Sequence, residues 1–195
     1  MIHMYQKRNK ELDILSLYLG DYRKQFYLRE ISKNTKIPLK TTQNLIAILE
    51  ENNILKSIVK GKNKYFKLNL ENIKTKFYLL QSEICKTILF LEKYPNFKTF
   101  LKELETNDAI IVFGSFAKLM ADKDSDVDLL IVSKEEKKLP MHLLSYRVHE
   151  IKIAESSFIK SMERQEALIK EIEENHVILN NHSFFINNMW DFYAR

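Results

Sequence analysis

Residues 110–132 read "IIVFGSFAKLMADKDSDVDLLIV". An apolar run of strand length ends in Gly114–Ser115, ten residues intervene, and Asp126-Val127-Asp128 opens a second apolar run. The chain holds only three glycines in 195 residues, so one placed at the end of an apolar run calls for a reason. "DAIIVFGS" has the form of a buried strand that delivers the chain to a helix N-terminus. Gly114 lets the backbone come close to a ligand. Ser115, with the free amides at the start of "SFAKLM", offers donors to phosphate oxygens. In a strand beginning near Ser125, residues two apart share a face, so Asp126 and Asp128 stand side by side while Val127 and Leu129 face the core. Two carboxylates so placed repel each other, and a divalent cation between them relieves the repulsion. Mg²⁺ is held by one or two carboxylates together with phosphate oxygens. The pattern points to a nucleoside triphosphate bound with magnesium.

Gly-Ser, about ten residues, then Asp-x-Asp closely resembles the signature of the DNA polymerase beta nucleotidyltransferase superfamily in its minimal form. The resemblance implies a mixed sheet flanked by helices, a Gly114–Ser115 turn touching the triphosphate, and two Mg²⁺ ions held by Asp126 and Asp128. It also implies a reaction: transfer of a nucleoside monophosphate, AMP from ATP, to an acceptor hydroxyl with loss of pyrophosphate. The family often supplies a third carboxylate from a later strand. "YRVHEIKIAES" is the strand for it, with Glu150 and Lys152 on one face and Ile151 and Ile153 on the other. Glu150 is therefore the expected third catalytic carboxylate, although the family more often shows Asp there; a surface glutamate is the alternative. His142 and His149, seven apart, share no helix or strand face and are expected not to be ligands. Lys118 is a phosphate contact or a solvated lysine.

Outward from this stretch, charge is uneven. The net charge is +5, but residues 1–70 carry 14 Lys and Arg against six Asp and Glu, a balance of +8, and the remainder is −3. A basic module joined to a mildly acidic one implies a polyanion partner for the first. "KELDILSLYLG" has helical spacing, with Gly20 expected to end that helix. "YLREISKNTKIP" forms a second helix and a turn at Thr35-Lys36-Ile37, and Pro38 opens "PLKTTQNLIAILEENN" as a third. "ILKSIVKGKNKYFKLN" reads as a hairpin turning at Lys60-Gly61-Lys62-Asn63. This order resembles a winged helix-turn-helix domain of bacterial and archaeal transcription regulators. The last helix then offers Lys40, Thr41, Thr42, Gln43 and Asn44 to double-stranded DNA. Leu45, Ile46, Ile48 and Leu49 hold it to the core, and Lys60, Lys62 and Lys64 ride on the phosphate backbone. A protein-binding module is the other reading of the same order.

From Glu71 to Tyr94 one long helix carries Ile73, Phe77, Leu80, Ile84 and Leu91 at spacings of four, three, four and seven. This stripe is expected to be buried, on its own chain or against the same helix of a second subunit in a homodimer. The fold class is thus α+β: a winged helix-turn-helix over 1–70, a connecting helix over 71–94 and a nucleotidyltransferase domain over 95–195. The last domain closes with a helix, a short strand and an aromatic helix whose Phe184, Phe185, Met189 and Trp190 fill core. The lone cysteine, Cys85, has no intrachain partner and reads as a buried thiol.

A hydrophobic content of 45% and a charged content of 29% are ordinary for a globular chain. The opening "MIHMYQKRNKELD" lacks the apolar centre of a secretory signal, and no apolar run reaches about 20 residues, so a cytoplasmic protein without membrane contact is expected. Two functions from different classes remain. One is a Mg²⁺-dependent nucleotidyltransferase acting on a protein, as antitoxins of similar spacing adenylylate a HEPN-type ribonuclease toxin. The other is a DNA-binding regulator whose second domain binds nucleotide without catalysis. An antibiotic-modifying transferase comes third, because such enzymes usually lack an N-terminal winged helix.

Overall fold

The computed structural model describes residues 9–134 and 138–194; residues 1–8, which begin the charged opening, lie outside it. Helix α1 (Lys10–Leu15) starts where the Asn9 side chain accepts the Glu11 amide, and a 3-10 turn follows over Ser16–Tyr18. The first helix therefore stops before Gly20. That glycine serves a close approach instead, since a Cβ there would sit 2.7 Å from the Glu173 carbonyl oxygen. A two-residue strand, β1 (Phe26–Tyr27), leads into α2 (Leu28–Thr35), where the Tyr27 amide donates to the Glu30 carboxylate at 2.9 Å. Lys36 turns the chain in the left-handed region, and Pro38 stands one residue before α3 (Leu39–Glu51). Strands β2 (Leu55–Lys60) and β3 (Asn63–Leu68) pair antiparallel across a two-residue loop, and β1 adds to β3, giving the order β1-β3-β2.

Helix α4 (Ile73–Lys93) follows, its first turn capped by Asn72. It does not bury the expected stripe. Ile73 and Phe77 are each 57% exposed and Ile84 is 42% exposed, with Leu80 and Leu91 half-buried. The buried side carries Thr75, Leu79, Ser82, Glu83, Thr87 and Phe90. Most of these polar groups tolerate burial because they find hydrogen-bond partners, Ser82 and Thr75 close by and Thr87 far along the chain, while Glu83 Oε2 is buried without one among the described residues. Thr75 donates to the Asn69 carbonyl at 2.9 Å, and Thr87 donates to the Ile178 carbonyl at 2.6 Å. Glu83 meets the His176 imidazole at 2.7 Å, both side chains being fully buried. Burial alone would push the Glu83 carboxyl up, but His176, Lys86 and His182 together hold it below the usual carboxylate range. Removing one member of a buried pair of this kind costs about 3–5 kcal/mol. Cys85 is half-buried, and burial with the nearby Asp13 raises its thiol pKa, so it is not an activated nucleophile.

Helix α5 (Asn96–Lys102) leads to a second sheet made of β4 (Ala109–Phe113), β5 (Val127–Val132), β6 (Val148–Ile153) and β7 (Val177–Asn180). Its order is β6-β5-β4-β7, with β4 antiparallel to both neighbours and β5 parallel to β6, so the sheet is mixed. Helices α7 (Glu155–Glu163), α8 (Ala167–Glu174) and α9 (His182–Tyr193) complete the chain. One sheet face, with Ile111, Phe113, Leu130 and Ile178, belongs to a continuous core with α7, α9 and the N-terminal helices. The other, with Ile110, Val112, Val127 and Leu129, packs on Phe90, Phe97, Phe100 and Phe116. As expected, Phe185, Met189 and Trp190 are buried; Phe184 is only partly so. Among the described residues no helix is long and apolar enough to cross a membrane.

Candidate functional site

Strand β4 is buried along its whole length and ends at Phe113, which pairs in register with Asp128 of β5. The next residue, Gly114, has φ +67° and opens the short helix α6 (Gly114–Ala117). The turn is tight against the facing strand: a Cβ on Gly114 would lie 2.3 Å from Asp128 Oδ2. Glycine is needed here because the Asp128 carboxylate occupies the space a side chain would fill. Ser115 is half-buried beside it, and Lys118 is exposed one turn on. Leu119 is itself left-handed, at φ +57°, an uncommon conformation for a bulky residue. The Lys93 ammonium holds the Leu119 carbonyl, so the end of α4 braces the loop behind the Gly-Ser turn. The chain then reaches β5 through a turn in which Ser125 Oγ donates to Asp122 Oδ1 at 2.8 Å and the Asp124 amide donates to the same oxygen at 3.1 Å.

Asp126 and Asp128 share the face of β5 that also carries Leu130. On the parallel neighbour the matching positions are basic. Arg147 Nε lies 3.9 Å from Asp126 Oδ1, and His149 Nδ1 lies 3.7 Å from Asp128 Oδ1. Burial is the main cause that raises the Asp128 carboxyl above its usual range, and the Asp126 charge adds to it; His149 opposes both. A cleft of about 300 Å³ beside the pair is lined by Lys123, Ser125, Asp126, Tyr146 and Arg147 among others.

Glu150 does not join this cluster. It pairs in register with Leu129, which places it on the opposite face of the sheet from Asp128, and its carboxylate meets the Lys152 ammonium at 3.0 Å. The register explains the misplacement: parallel strands put directly opposed residues on one side, and a shift of one residue exchanges the faces. The residue opposite Asp128 is His149. His142 is exposed in the connection before β6. Alternation along β6 alone separates His149 from Glu150; only the pairing with β5 shows which of the two faces the aspartates.

The donor set can be tested against a cation. Two carboxylates on one face, beside a glycine whose missing side chain leaves room only for the carboxylate, and with a raised proton affinity at Asp128, fit one Mg²⁺ shared with phosphate oxygens. A three-carboxylate set is not formed: among the described residues no three His, Cys, Asp or Glu side chains are grouped to hold a metal.

The basic surface is a separate region. On α3, Lys40, Gln43 and Asn44 are exposed and Thr41 is half-buried. Thr42 is not available to a partner: it is fully buried, and its hydroxyl lies 3.2 Å from both the Ile37 and Pro38 carbonyls. Its spacing of four and three to Ile46 and Leu49 already marks the inner face. Ile48, expected in the core, is 41% exposed. Lys60, Lys62 and Lys64 are exposed on the hairpin, and Lys64 pairs with Glu50 of α3 at 3.1 Å. A groove of about 900 Å³ runs between α3 and the hairpin, lined by Gln43, Lys62 and Lys64 and by Arg29 and Tyr27, which the sequence reading had not singled out.

Residues 95–183 match the family model of the nucleotidyltransferase domain. The matched segment contains the Gly114 turn, both aspartates, Arg147, His149 and β7, and it supports a general nucleotidyl-transfer function for this part of the chain. No curated protein and no solved structure matches the chain.

Proposed function

We propose that the chain is a Mg²⁺-dependent nucleotidyltransferase that transfers AMP from ATP to a hydroxyl, with a DNA-binding N-terminal part. The observation that carries the reading is the contact between Gly114 and Asp128: the phosphate-turn glycine and the metal-type carboxylate are built around each other inside the matched segment. In the reaction the acceptor oxygen bonds to the α-phosphorus, the bond from that phosphorus to the α,β-bridging oxygen breaks, pyrophosphate leaves, and the hydroxyl proton passes to water. Asp126 and Asp128 would hold Mg²⁺, which supplies charge neutralisation for the triphosphate and lowers the pKa of a bound hydroxyl. Gly114 and Ser115 would contact the phosphates, and Arg147, exposed and lining the cleft, would reach an oxygen on the same side. His149, rather than a carboxylate, faces Asp128 from β6, and no third carboxylate is grouped with the pair among the described residues. A two-carboxylate set favours a second reading for the same site, a domain that binds Mg²⁺ and nucleotide with little or no transfer.

The surface of α3 and the hairpin supports DNA binding through Lys40, Thr41, Gln43, Asn44, Lys60, Lys62 and Lys64, with Thr42 confined to holding α3. A protein acceptor such as a HEPN-type toxin follows from the resemblance to antitoxin transferases, and an autoregulating antitoxin would need both activities. The test is incorporation of labelled ATP into protein partners with Mg²⁺ present. The wild type should label a partner, and Asp126→Asn with Asp128→Asn should lower labelling by orders of magnitude with circular dichroism unchanged. Glu150→Gln should leave it unchanged, because Glu150 faces away. A wild type that binds ATP and DNA but labels nothing selects the non-catalytic reading; equal labelling by the double variant removes the site assignment.

A further inference from the structure

The exposed stripe on α4 has a pattern that says what covers it. Ile73, Phe77, Leu80, Ile84, Ile88 and Leu91 fall within an arc of about 80° at the helical period. Ile73, Phe77, Ile84 and Ile88 are each between 42% and 57% exposed, while Leu80 and Leu91 are half-buried and pack in part against the chain's own core. Monomeric proteins rarely leave a contiguous apolar patch of more than a few hundred Å² in water. Forwards the spacings are four, three, four, four and three; backwards they are three, four, four, three and four. A copy of the helix running the other way therefore sets Ile73 against the partner's Leu91, Phe77 against the partner's Ile88 and Leu80 against the partner's Ile84, about a two-fold axis at the level of Ser82, which itself lies on the buried side. Such a contact is self-complementary, as a two-fold interface must be.

Charge selects the same direction. Lys74 and Glu92 are exposed, eighteen residues and so about five turns apart, and stand on one flank of the stripe. In an antiparallel pair each flank faces the same flank of the partner, so Lys74 meets the partner's Glu92 twice. In a parallel pair Lys74 would face the opposite flank at its own level, where Lys76 lies, and like charges would meet twice. We propose that α4 is the seam of an antiparallel homodimer, with a second copy of this chain as the partner. The reading does not depend on nucleotidyl transfer. It would give the two basic surfaces a two-fold relation, as needed to address two half-sites on one duplex.

Sedimentation of the full chain should show a reversible monomer–dimer equilibrium. Ile84→Glu should raise the dissociation constant at least about tenfold without changing circular dichroism, because it places two carboxylates, one from each subunit, beside the axis in place of an apolar contact. Lys74→Glu should weaken the dimer, and Lys74→Glu combined with Glu92→Lys should restore it. On a Cys85→Ser background, Ile73→Cys with Leu91→Cys should give a covalent dimer on oxidation, and Phe77→Cys alone should not. A chain that is monomeric at every concentration, a dimer indifferent to Ile84→Glu, or efficient cross-linking through Phe77→Cys alone would overturn the proposal.

Discussion

On the hairpin, Lys60 and Lys62 stand in solvent and Gly61, at φ +61°, has no atom within 4 Å of where a Cβ would be. At the corner of the second sheet, Gly114 has nearly the same backbone angle, +67°, but a Cβ would overlap the Asp128 carboxylate. The two glycines answer the same demand of the backbone in opposite surroundings. The basic surface is open and is made of charges that act additively, so no single side chain is indispensable. The acidic corner is tight at one point, where Gly114 abuts the Asp128 carboxylate, so a change in one displaces the other. A surface that follows a uniform polyanion can be built the first way. A site that must hold a cation and a triphosphate in one geometry requires the second.

The sharpest test of that contrast is the same substitution at both glycines. Gly114→Ala adds the left-handed penalty of roughly 1–2 kcal/mol and forces the Asp128 carboxylate aside. A displacement of about 1 Å at a reacting centre costs about a hundredfold in rate, so labelling should fall by about that factor, and Mg²⁺-dependent binding of a non-hydrolysable ATP analogue should weaken in calorimetry. Gly61→Ala meets only the backbone penalty and should leave nucleotide binding unchanged. Equal loss in both variants would show that the corner has no special geometry.

A smaller and graded effect is expected on the basic surface. Each phosphate contact contributes about 0.9 to the slope of log affinity against log salt, so changing Lys60 and Lys62 to Ala should lower the slope for duplex DNA by about 1.8. Adding Lys64→Ala should contribute less than a full further step, because Glu50 already pairs with it at 3.1 Å. Affinity titrations over a range of salt measure both. A steep all-or-none loss from Lys64→Ala would break the picture of additive contacts.

What could be read from the chain follows the same division between local and distant. Gly114, Ser115, Asp126 and Asp128 were legible because strand alternation and a short connection bring them together within one hairpin-like pair. That the sheet is mixed followed from the resemblance; the order of its four strands did not. The face of Glu150 was not legible, since it depends on register between β5 and β6, two strands joined by a connection that carries no pairing information. The helices of residues 9–70 were found by period, yet Thr42 and Ile48 were placed by residue type, and the period itself puts Thr42 inside. On α4 the buried side is polar because Thr87 and Glu83 find Ile178 and His176 about ninety residues away, which no window along the chain contains.

The smallest expected effect is on stability, and its sign separates the two regions most cleanly. Burial and the neighbouring Asp126 raise the Asp128 carboxyl, so the folded state binds that proton more tightly than the unfolded chain does. The ionised carboxylate therefore costs stability at neutral pH. This cost is absent below the unfolded pKa, about 3.9, and is fully present once the pH exceeds the raised folded value. Asp128→Asn removes the charge at nearly constant size. In metal-free buffer its thermal midpoint should lie slightly above that of the wild type at pH 7, and the two curves should converge as the pH falls. Mg²⁺ with ATP should then stabilise only the wild type, reversing the order. The matching loss of charge on the open surface, Lys62→Gln, should shift neither curve. If Asp128→Asn is instead the less stable protein at pH 7 without metal, then attraction to His149 outweighs burial, and the corner is held together by its ion pairs rather than strained by burial and like charge.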